Sequence, residues 1–252
     1  MGRSGVSAGL VVIGDEILSG RTRDANIAHI GRWLSERGVT LAEVRIVPDE
    51  TEMIVEAVNA LRTRYTHLFT TGGIGPTHDD ITAESIARAF GRSLVFHPEA
   101  WRRLEEHYGT EHFTPARQRM ARVPEGAELI DNPISIAPGF RLENVFVLAG
   151  VPEIARAMLD SLGHLIVGGK PMRSLVLDIP LPESAFAGPL AEIAAAAAKT
   201  GVRIGSYPYY RDGRAGAEIV LRGTDRSSLE KTAVRIEAAA REAGVSVRRL
   251  ER

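Results

Sequence analysis

Short apolar runs alternate with amphipathic segments along the first two thirds of the chain. The runs are short and end at glycine or proline, which predicts buried strands at residues 10–13, 39–47, 68–71 and 145–148. Between them, apolar residues recur every three or four positions, which predicts helices at residues 27–34, 54–61, 82–90 and 153–162. This alternation predicts an α/β fold with a mostly parallel sheet covered by helices on both faces. Residues 96–121 are less regular and predict one or two helices over the sheet edge.

The pattern changes after a glycine-rich stretch at residues 167–171. The later part predicts, in order, a strand, an alanine-rich helix, two strands, a second helix and a last strand, at residues 175–179, 187–199, 202–207, 217–221, 229–243 and 245–250. This βαββαβ order is that of a small α+β, ferredoxin-like domain. We therefore expect two domains, at residues 1–168 and 170–252.

Composition narrows the class of protein. The 252 residues are 44% hydrophobic and 25% charged, so the chain has enough apolar surface to fold. A net charge of −1 disfavours a nucleic-acid partner. No apolar stretch reaches about 20 residues, and residues 1–5 lack the apolar core of a signal peptide, so we expect a cytoplasmic protein without a membrane partner. The absence of cysteine excludes disulfides and a cysteine nucleophile.

Segments that contain glycine and acidic residues follow three of the predicted strands. The first strand runs into Gly14, Asp15 and Glu16, the third into residues 70–82, and the last into residues 150–153. Because ligands bind beyond the carboxyl ends of strands in an open parallel sheet, these segments predict one site.

The segment after the third strand contains Gly72, Gly73 and Gly75. Glycines let backbone N–H groups approach phosphate oxygens, and the helix that follows adds a partial positive charge. The alternative interpretation is an ordinary turn. The segment is neither a Walker loop nor a dinucleotide-binding fingerprint, because the residues that define those motifs are missing.

Two pairs of carboxylates accompany these segments. Asp79 and Asp80, with Thr82, could cap the next helix, or one of them could hold a hard cation against phosphate. Since adjacent side chains are expected to point apart, we assign Asp80 to the site and Asp79 to capping or support. Asp15 and Glu16 could likewise either cap a helix or take part in the site. A carboxylate pair across a cleft could hold a metal or accept a proton from water.

Taken together, several segments resemble the molybdopterin-binding family of molybdenum-cofactor biosynthesis, in the branch found at the N-terminus of competence/damage-inducible protein A. The similar segments lie at residues 14–20, 24–26, 70–82, 117–118, 124–127, 132–140 and 150–153. Residues 183–184 and 204–208 resemble the small domain that follows in that branch.

The resemblance implies a three-layer α/β sandwich that binds a nucleotide or pterin. Asp80 matches the aspartate shared by the wider family, and with Asp15 and Glu16 it is expected to be catalytic; Asp80 and Asp15 are the expected metal ligands. The expected substrate-binding residues are Gly72, Gly73, Gly75, Thr77, Asp24, Asn26, Gly139, Gly150 and Pro152. Relatives in this branch imply a divalent cation (Mg²⁺, Mn²⁺ or Co²⁺), molybdopterin as a possible ligand, and a homo-oligomer.

The resemblance leaves three functions open. The first is a metal-dependent pyrophosphatase that acts on ADP-ribose or FAD, a hydrolase. The second is a molybdopterin-binding or adenylylating protein, and the third is a nucleotide-binding module without catalysis. The third is credible because Ala25, Ile136 and Ala149 replace residues usual in the family. The sequence holds no counterpart of the branch's C-terminal amidase domain, so no amidase activity is expected.

Overall fold

In a computed structural model, the structure describes residues 5–211 and 213–250. Residues 1–4 and 251–252, at the ends of the two expected domains, lie outside the described residues. Residues 1–4 also belong to the segment considered above for a signal peptide. The chain divides into two compact units, with the boundary between Gly169 and Lys170. In the described ranges no helix is both long and apolar enough to span a bilayer.

The first unit is built on a six-stranded sheet. Its order is β2-β1-β3-β8-β7-β6, with strands β1 (Ser7–Ile13), β2 (Thr40–Val47), β3 (His67–Thr71), β6 (Glu128–Ile130), β7 (Gly139–Leu142) and β8 (Val145–Leu148). The four strands from β2 to β8 pair in parallel, and β7 and β6 add antiparallel pairs at one edge. The predicted mostly parallel sheet is therefore confirmed, and the antiparallel edge is an addition to it.

Helices cover both faces of this sheet, as predicted. They are α1 (Asp15–Leu18), α2 (Asn26–Glu36), α3 (Thr51–Arg62), α4 (Thr82–Phe90) and α7 (Pro152–Ser161), followed by a 3₁₀ turn at Gly163–Leu165. Ile54, Leu61 and Ile86 pack from α3 and α4 onto one face of the sheet. Ile30 and Leu159 pack from α2 and α7 onto the other face. Burial of these apolar side chains fixes the three-layer sandwich.

The irregular segment between α4 and β6 forms a small lobe with its own core. It contains the antiparallel pair β4 (Leu94–Phe96) and β5 (Arg122–Pro124), helices α5 (Pro98–Tyr108) and α6 (Pro115–Arg119), and a 3₁₀ turn at Thr110–His112. Leu104 and Phe113 are buried in this core, and the Trp101 ring meets the Phe113 ring edge-on with centroids 4.9 Å apart. The expected helices are present, and the short strand pair is an additional element.

The second unit has the predicted βαββαβ plan. It contains β9 (Arg173–Ile179), α8 (Glu183–Ala198), β10 (Arg203–Arg211), β11 (Arg214–Gly223), α9 (Arg226–Glu242) and β12 (Arg248–Leu250). The strand order is β10-β11-β9-β12, and every pair is antiparallel. One sheet face packs on both helices, with Leu177, Phe186, Ile219 and Ile236 in the core.

In the first unit the chain passes from β1 to β2 on one side and to β3 on the other. This reversal opens a crevice between β1 and β3 at the carboxyl ends of the parallel strands, where open α/β sheets bind ligands. The fold therefore brings the residues that follow β1, β2, β3 and β8 to one edge.

Away from this edge, Glu43 on β2 accepts three hydrogen bonds. The donors are Tyr65 Oη at 2.7 Å, Arg64 Nη1 at 2.8 Å and Arg45 Nε at 3.0 Å. These donors, the Tyr65 hydroxyl first, lower the pKa of Glu43 from its usual 4.5 to about 2. Because the carboxylate form is favoured in the folded state, Glu43 stabilises the fold above about pH 4.5, and this stabilisation is lost as the pH falls through about 2.

We predict that Glu43→Gln lowers the free energy of unfolding by about 1 kcal/mol at pH 7, since a partly exposed ion-pair network contributes little more than that. The difference from wild type should shrink between pH 4.5 and pH 2. Urea unfolding followed by circular dichroism at several pH values measures it. An undiminished difference at the lowest pH would contradict this role of the Glu43 charge.

Candidate functional site

A cleft of about 770 Å³ lies at the carboxyl ends of the parallel strands. This volume is typical of a pocket for a small organic ligand. One wall comes from the loops after β1, β2, β3 and β8, and the other from the lobe that contains α5 and α6. The cleft is open rather than filled by side chains, and its lining includes Gly14, Glu16, Asp49, residues 72–76, Asp79, Asp80, Tyr108, Arg117, Asn132 and residues 149–152.

Two glycines let the chain turn sharply after β3. Gly72 has φ +102°, and a Cβ there would overlap the carbonyl oxygen of Ile13 at the end of β1. Gly73 has φ +66°, and a Cβ there would overlap the hydroxyl of Thr82. That hydroxyl donates a buried 2.9 Å hydrogen bond to the Gly72 carbonyl. The turn therefore packs directly between β1 and the start of α4, which requires residues without side chains.

Gly73, Ile74 and Gly75 of this turn line the cleft. Within the described residues, no protein acceptor pairs with the N–H groups of Gly73, Ile74 and Gly75. The turn ends where Asp80 Oδ2 accepts hydrogen bonds from the Thr77 N–H, at 2.7 Å, and from the Thr77 hydroxyl. Unpaired amides in a turn beside a helix N-terminus favour an anionic ligand.

Four carboxylates line the same cleft, from Glu16, Asp49, Asp79 and Asp80. Burial raises the pKa of Asp49 above its usual 3.8, and repulsion from Asp15, Glu16 and Asp79 adds to the rise, whereas a hydrogen bond from the Asp15 backbone opposes it. Asp49 is not among the residues expected at the site from the sequence. Its position could have indicated it, because Asp49 follows Pro48 directly after the parallel strand β2.

Of the two roles expected for Asp79, capping of α4 or support of the site, the structure contradicts the first. The residue that precedes α4 is Ile81, and no side chain makes a capping hydrogen bond there. Asp79 and Asp80 both line the cleft although they are adjacent, because the irregular loop does not alternate its side chains as a strand does.

Several residues expected at the site lie around it as structural supports. The Asp24 carboxylate accepts a 2.7 Å hydrogen bond from the Ile27 N–H at the start of α2. The buried Asn26 side chain donates a 2.8 Å hydrogen bond to the Gly150 carbonyl, which ties α2 to the loop after β8. Asp15 contributes its backbone N–H, which donates to Asp49 Oδ2 at 3.0 Å.

The remaining expected residues divide between the cleft and the sheet. Gly150 and Pro152, the first residue of α7, line the cleft. Gly139 is buried in β7, where it pairs with Ile130. Thr77 is exposed, and both its donors bind Asp80.

A buried asparagine shapes another part of the rim. Asn132 Nδ2 donates to Ser135 Oγ at 2.6 Å and to the Ala137 carbonyl at 2.8 Å, and Asn132 Oδ1 accepts from the N–H groups of Ile134 and Ser135. Within this loop Ile136 has φ +65°, which is strained for a β-branched residue. Ile136 is one of the positions where the sequence departs from its resemblance.

The described residues contain no group of three or more His, Asp or Glu side chains placed to hold a metal ion.

The first unit is thus a three-layer α/β domain with a glycine-lined cleft at its strand ends. Residues 9–167 match the model of a family described as "Probable molybdopterin binding domain", and the chain belongs to this family. Residues 171–248 match a second family model, described as "FAD synthase, middle domain".

The chain is similar in sequence to several known proteins. Protein PH0439 of Pyrococcus horikoshii is 36% identical over 170 residues, which are 62% of this chain and 67% of that protein. A "Probable FAD synthase" of Caenorhabditis briggsae is 30% identical over 254 residues, 91% of this chain and 48% of that one. The chain spans about two thirds of the length of the archaeal relatives it matches, and about half of that FAD synthase.

A solved structure shares the fold of the first unit. The protein CinA from Thermoplasma acidophilum, whose function is described as unknown, superposes with a TM-score of 0.62 at 32% identity and covers 65% of this chain and 99% of its own. The expected resemblance to the CinA-like branch is therefore confirmed.

We predict that Thr82→Val lowers the free energy of unfolding by about 1–3 kcal/mol, because the buried Gly72 carbonyl loses its hydroxyl donor while the side-chain shape is kept. Urea unfolding measures the loss. Thr82→Ser is the matched control, since it keeps the hydroxyl and removes one methyl group, at a cost of about 1 kcal/mol. A Thr82→Val protein as stable as wild type would show that the hydrogen bond does not hold the turn.

Proposed function

We propose that the chain is a metal-dependent hydrolase that cleaves the diphosphate of a nucleotide such as ADP-ribose or FAD. One observation carries the proposal: Gly73, Ile74 and Gly75, whose N–H groups have no acceptor among the described residues, line a cleft that is also lined by four carboxylate residues. Donors for phosphate oxygens and acceptors for a cation thus lie side by side. The similarity to the middle domain of FAD synthase supports a flavin or adenine nucleotide as substrate.

The glycine turn would bind the diphosphate. Backbone amides donate to phosphate oxygens without a charged side chain, and the N-terminus of α4, which contacts the turn through Thr82, adds its partial positive charge. Asp80 keeps the turn in shape through its hydrogen bonds with Thr77. In this proposal Asp80 acts both as a support of the turn and as a cleft carboxylate.

A divalent cation fits the donor set. All four cleft carboxylates are oxygen ligands, which Mg²⁺ and Mn²⁺ prefer. Mg²⁺ is commonly held by one or two carboxylates together with substrate phosphates and water, so it does not require the three-residue protein cluster that the described residues lack. Asp80 with Glu16 or Asp49 are the proposed ligands, and Asp15 supports Asp49 through its backbone. When bound, the cation would polarise the phosphorus and acidify water.

The chemistry is a hydrolysis. Water forms a new P–O bond at one phosphorus while the bridging P–O bond breaks, and a cleft carboxylate accepts the proton from water. ADP-ribose gives AMP and ribose 5-phosphate, and FAD gives AMP and FMN. Glu16 and Asp49 lie on the β1–β2 side of the cleft, where they can orient the attacking water beside a diphosphate held by the glycine turn.

Membership of the molybdopterin-binding family supports a second candidate function. Molybdopterin carries a phosphate that the same turn could hold, so the chain would bind this pterin or adenylylate it with ATP. This function requires tight molybdopterin binding and, for adenylylation, an ATP-dependent product. Nucleotide binding without any product would instead indicate a binding module that lacks catalysis.

We predict that wild-type protein releases AMP from ADP-ribose or FAD only with an added divalent cation, tested with Mg²⁺, Mn²⁺ and Co²⁺. Asp80→Asn and Asp49→Asn should each lower kcat/KM by about 10- to 100-fold or more, since loss of even a group that supports a metal ligand typically costs that much. Chromatographic detection of AMP measures the rate.

Glu192→Gln provides the control. It removes an exposed carboxylate from α8 in the second unit and should leave the rate unchanged. Absence of AMP with every cation, or full activity in Asp80→Asn, would count against a pyrophosphatase.

A further inference from the structure

The wall of the cleft opposite the carboxylates carries a planar cation on an aromatic ring. Tyr108 ends α5 and Arg117 lies in α6, and both line the cleft. The Arg117 guanidinium carbon lies 4.1 Å from the centroid of the Tyr108 ring, which is the geometry of a cation–π contact. Neither the hydrolysis nor the diphosphate contacts described above use this pair.

The lobe holds Arg117 in this orientation. Its Nη1 donates a 2.6 Å hydrogen bond to the His112 carbonyl, and the neighbouring Gln118 donates to the Phe113 carbonyl at 2.9 Å. Within the described residues, Arg117 forms no ion pair with a carboxylate, whereas arginines such as Arg102 and Arg103 do. A guanidinium fixed by a carbonyl and left without a counter-ion keeps its charge and its plane available to a ligand.

We propose that Tyr108 and Arg117 form a stacking subsite for the fused heteroaromatic ring of the ligand: a purine, pterin or isoalloxazine. One face of the guanidinium lies on Tyr108, and the other receives the ring. The inference rests on the proposed function, which places the diphosphate of the same ligand on the glycine turn across the cleft. A ligand that reaches both walls must carry a flat ring and a phosphate group.

This subsite makes binding depend on whether the ligand carries a flat ring. Stacking on an aromatic or guanidinium plane depends little on which ring is present, because every such ring has a π-face. The pair therefore selects for the presence of a ring rather than for its hydrogen-bonding edge. Ring-bearing nucleotides of different types should bind with similar affinity, and ring-free phosphates should bind more weakly.

Equilibrium binding of three probes tests the subsite: ADP, FMN and inorganic pyrophosphate, which lacks a ring. The variants are Tyr108→Leu, which removes the ring, and Arg117→Lys, which keeps the charge but loses the plane. Each should weaken ADP and FMN at least about ten-fold, the size expected for loss of one stacking contact. Each should change pyrophosphate binding by less than two-fold. Calorimetry gives the affinities, and quenching of flavin fluorescence reports stacking of FMN directly.

The matched control is Arg211→Lys, since Arg211 lies over the Tyr209 ring at 4.4 Å in the second unit. It should alter none of the three affinities. Equal weakening of pyrophosphate and ADP by Tyr108→Leu would show a general loss of the cleft and overturn the subsite, as would unchanged ADP and FMN binding. The proposed hydrolysis fails separately, if wild type binds the ring-bearing probes through Tyr108 and Arg117 but releases no AMP.

Discussion

The cleft depends on the close contact between the turn after β3 and its two neighbours. Gly72 lies against the carbonyl of Ile13 on β1, and its own carbonyl is held by the hydroxyl of Thr82 at the start of α4. Because there is no room for a side chain at Gly72 or Gly73, the turn lines the cleft there with backbone. A single buried hydroxyl and two glycines thus determine the shape of this part of the cleft.

The two walls of the cleft differ in charge. The wall at the strand ends carries four carboxylates, and the lobe contributes Arg117 on Tyr108. The amides of the turn line the same cleft. In the proposed function, electrostatics would orient the ligand, with a cation on the strand-end side and a polarisable ring on the lobe. The proposal therefore favours a nucleotide or pterin over a simple inorganic anion, because only an extended ligand meets all three features.

Much of the fold and of the cleft could be predicted from the sequence, because in the first unit the apolar runs of the buried strands are followed directly by glycine and acidic residues. Buried parallel strands give uninterrupted apolar runs such as residues 10–13 and 68–71, and the residues after them must reach one edge of the sheet. The same rule applied to β2 would have found Asp49. The small domain was predictable as well, because its elements are long and regularly spaced.

Other features could not be predicted, for physical reasons. Strands β4 to β7 have three or four residues each, too few to show an alternating pattern, and their partners decide their conformation. The directions of Asp79 and Asp80 depend on loop dihedral angles that no periodicity encodes. The contact of Tyr108 with Arg117 joins the end of one helix to the next across a 3₁₀ turn, and its place in the cleft follows from how the lobe packs.

The hydrogen bond from Asn26 to the Gly150 carbonyl spans 124 positions in the chain. Since β8 lies between β3 and β7, the rim of the cleft is incomplete until the segment around Gly150 has joined the sheet. During synthesis on the ribosome, a nascent chain that ends before this segment has the glycine turn but not the enclosure around it. In the proposed function, capture of a nucleotide would thus be tied to completion of the first unit.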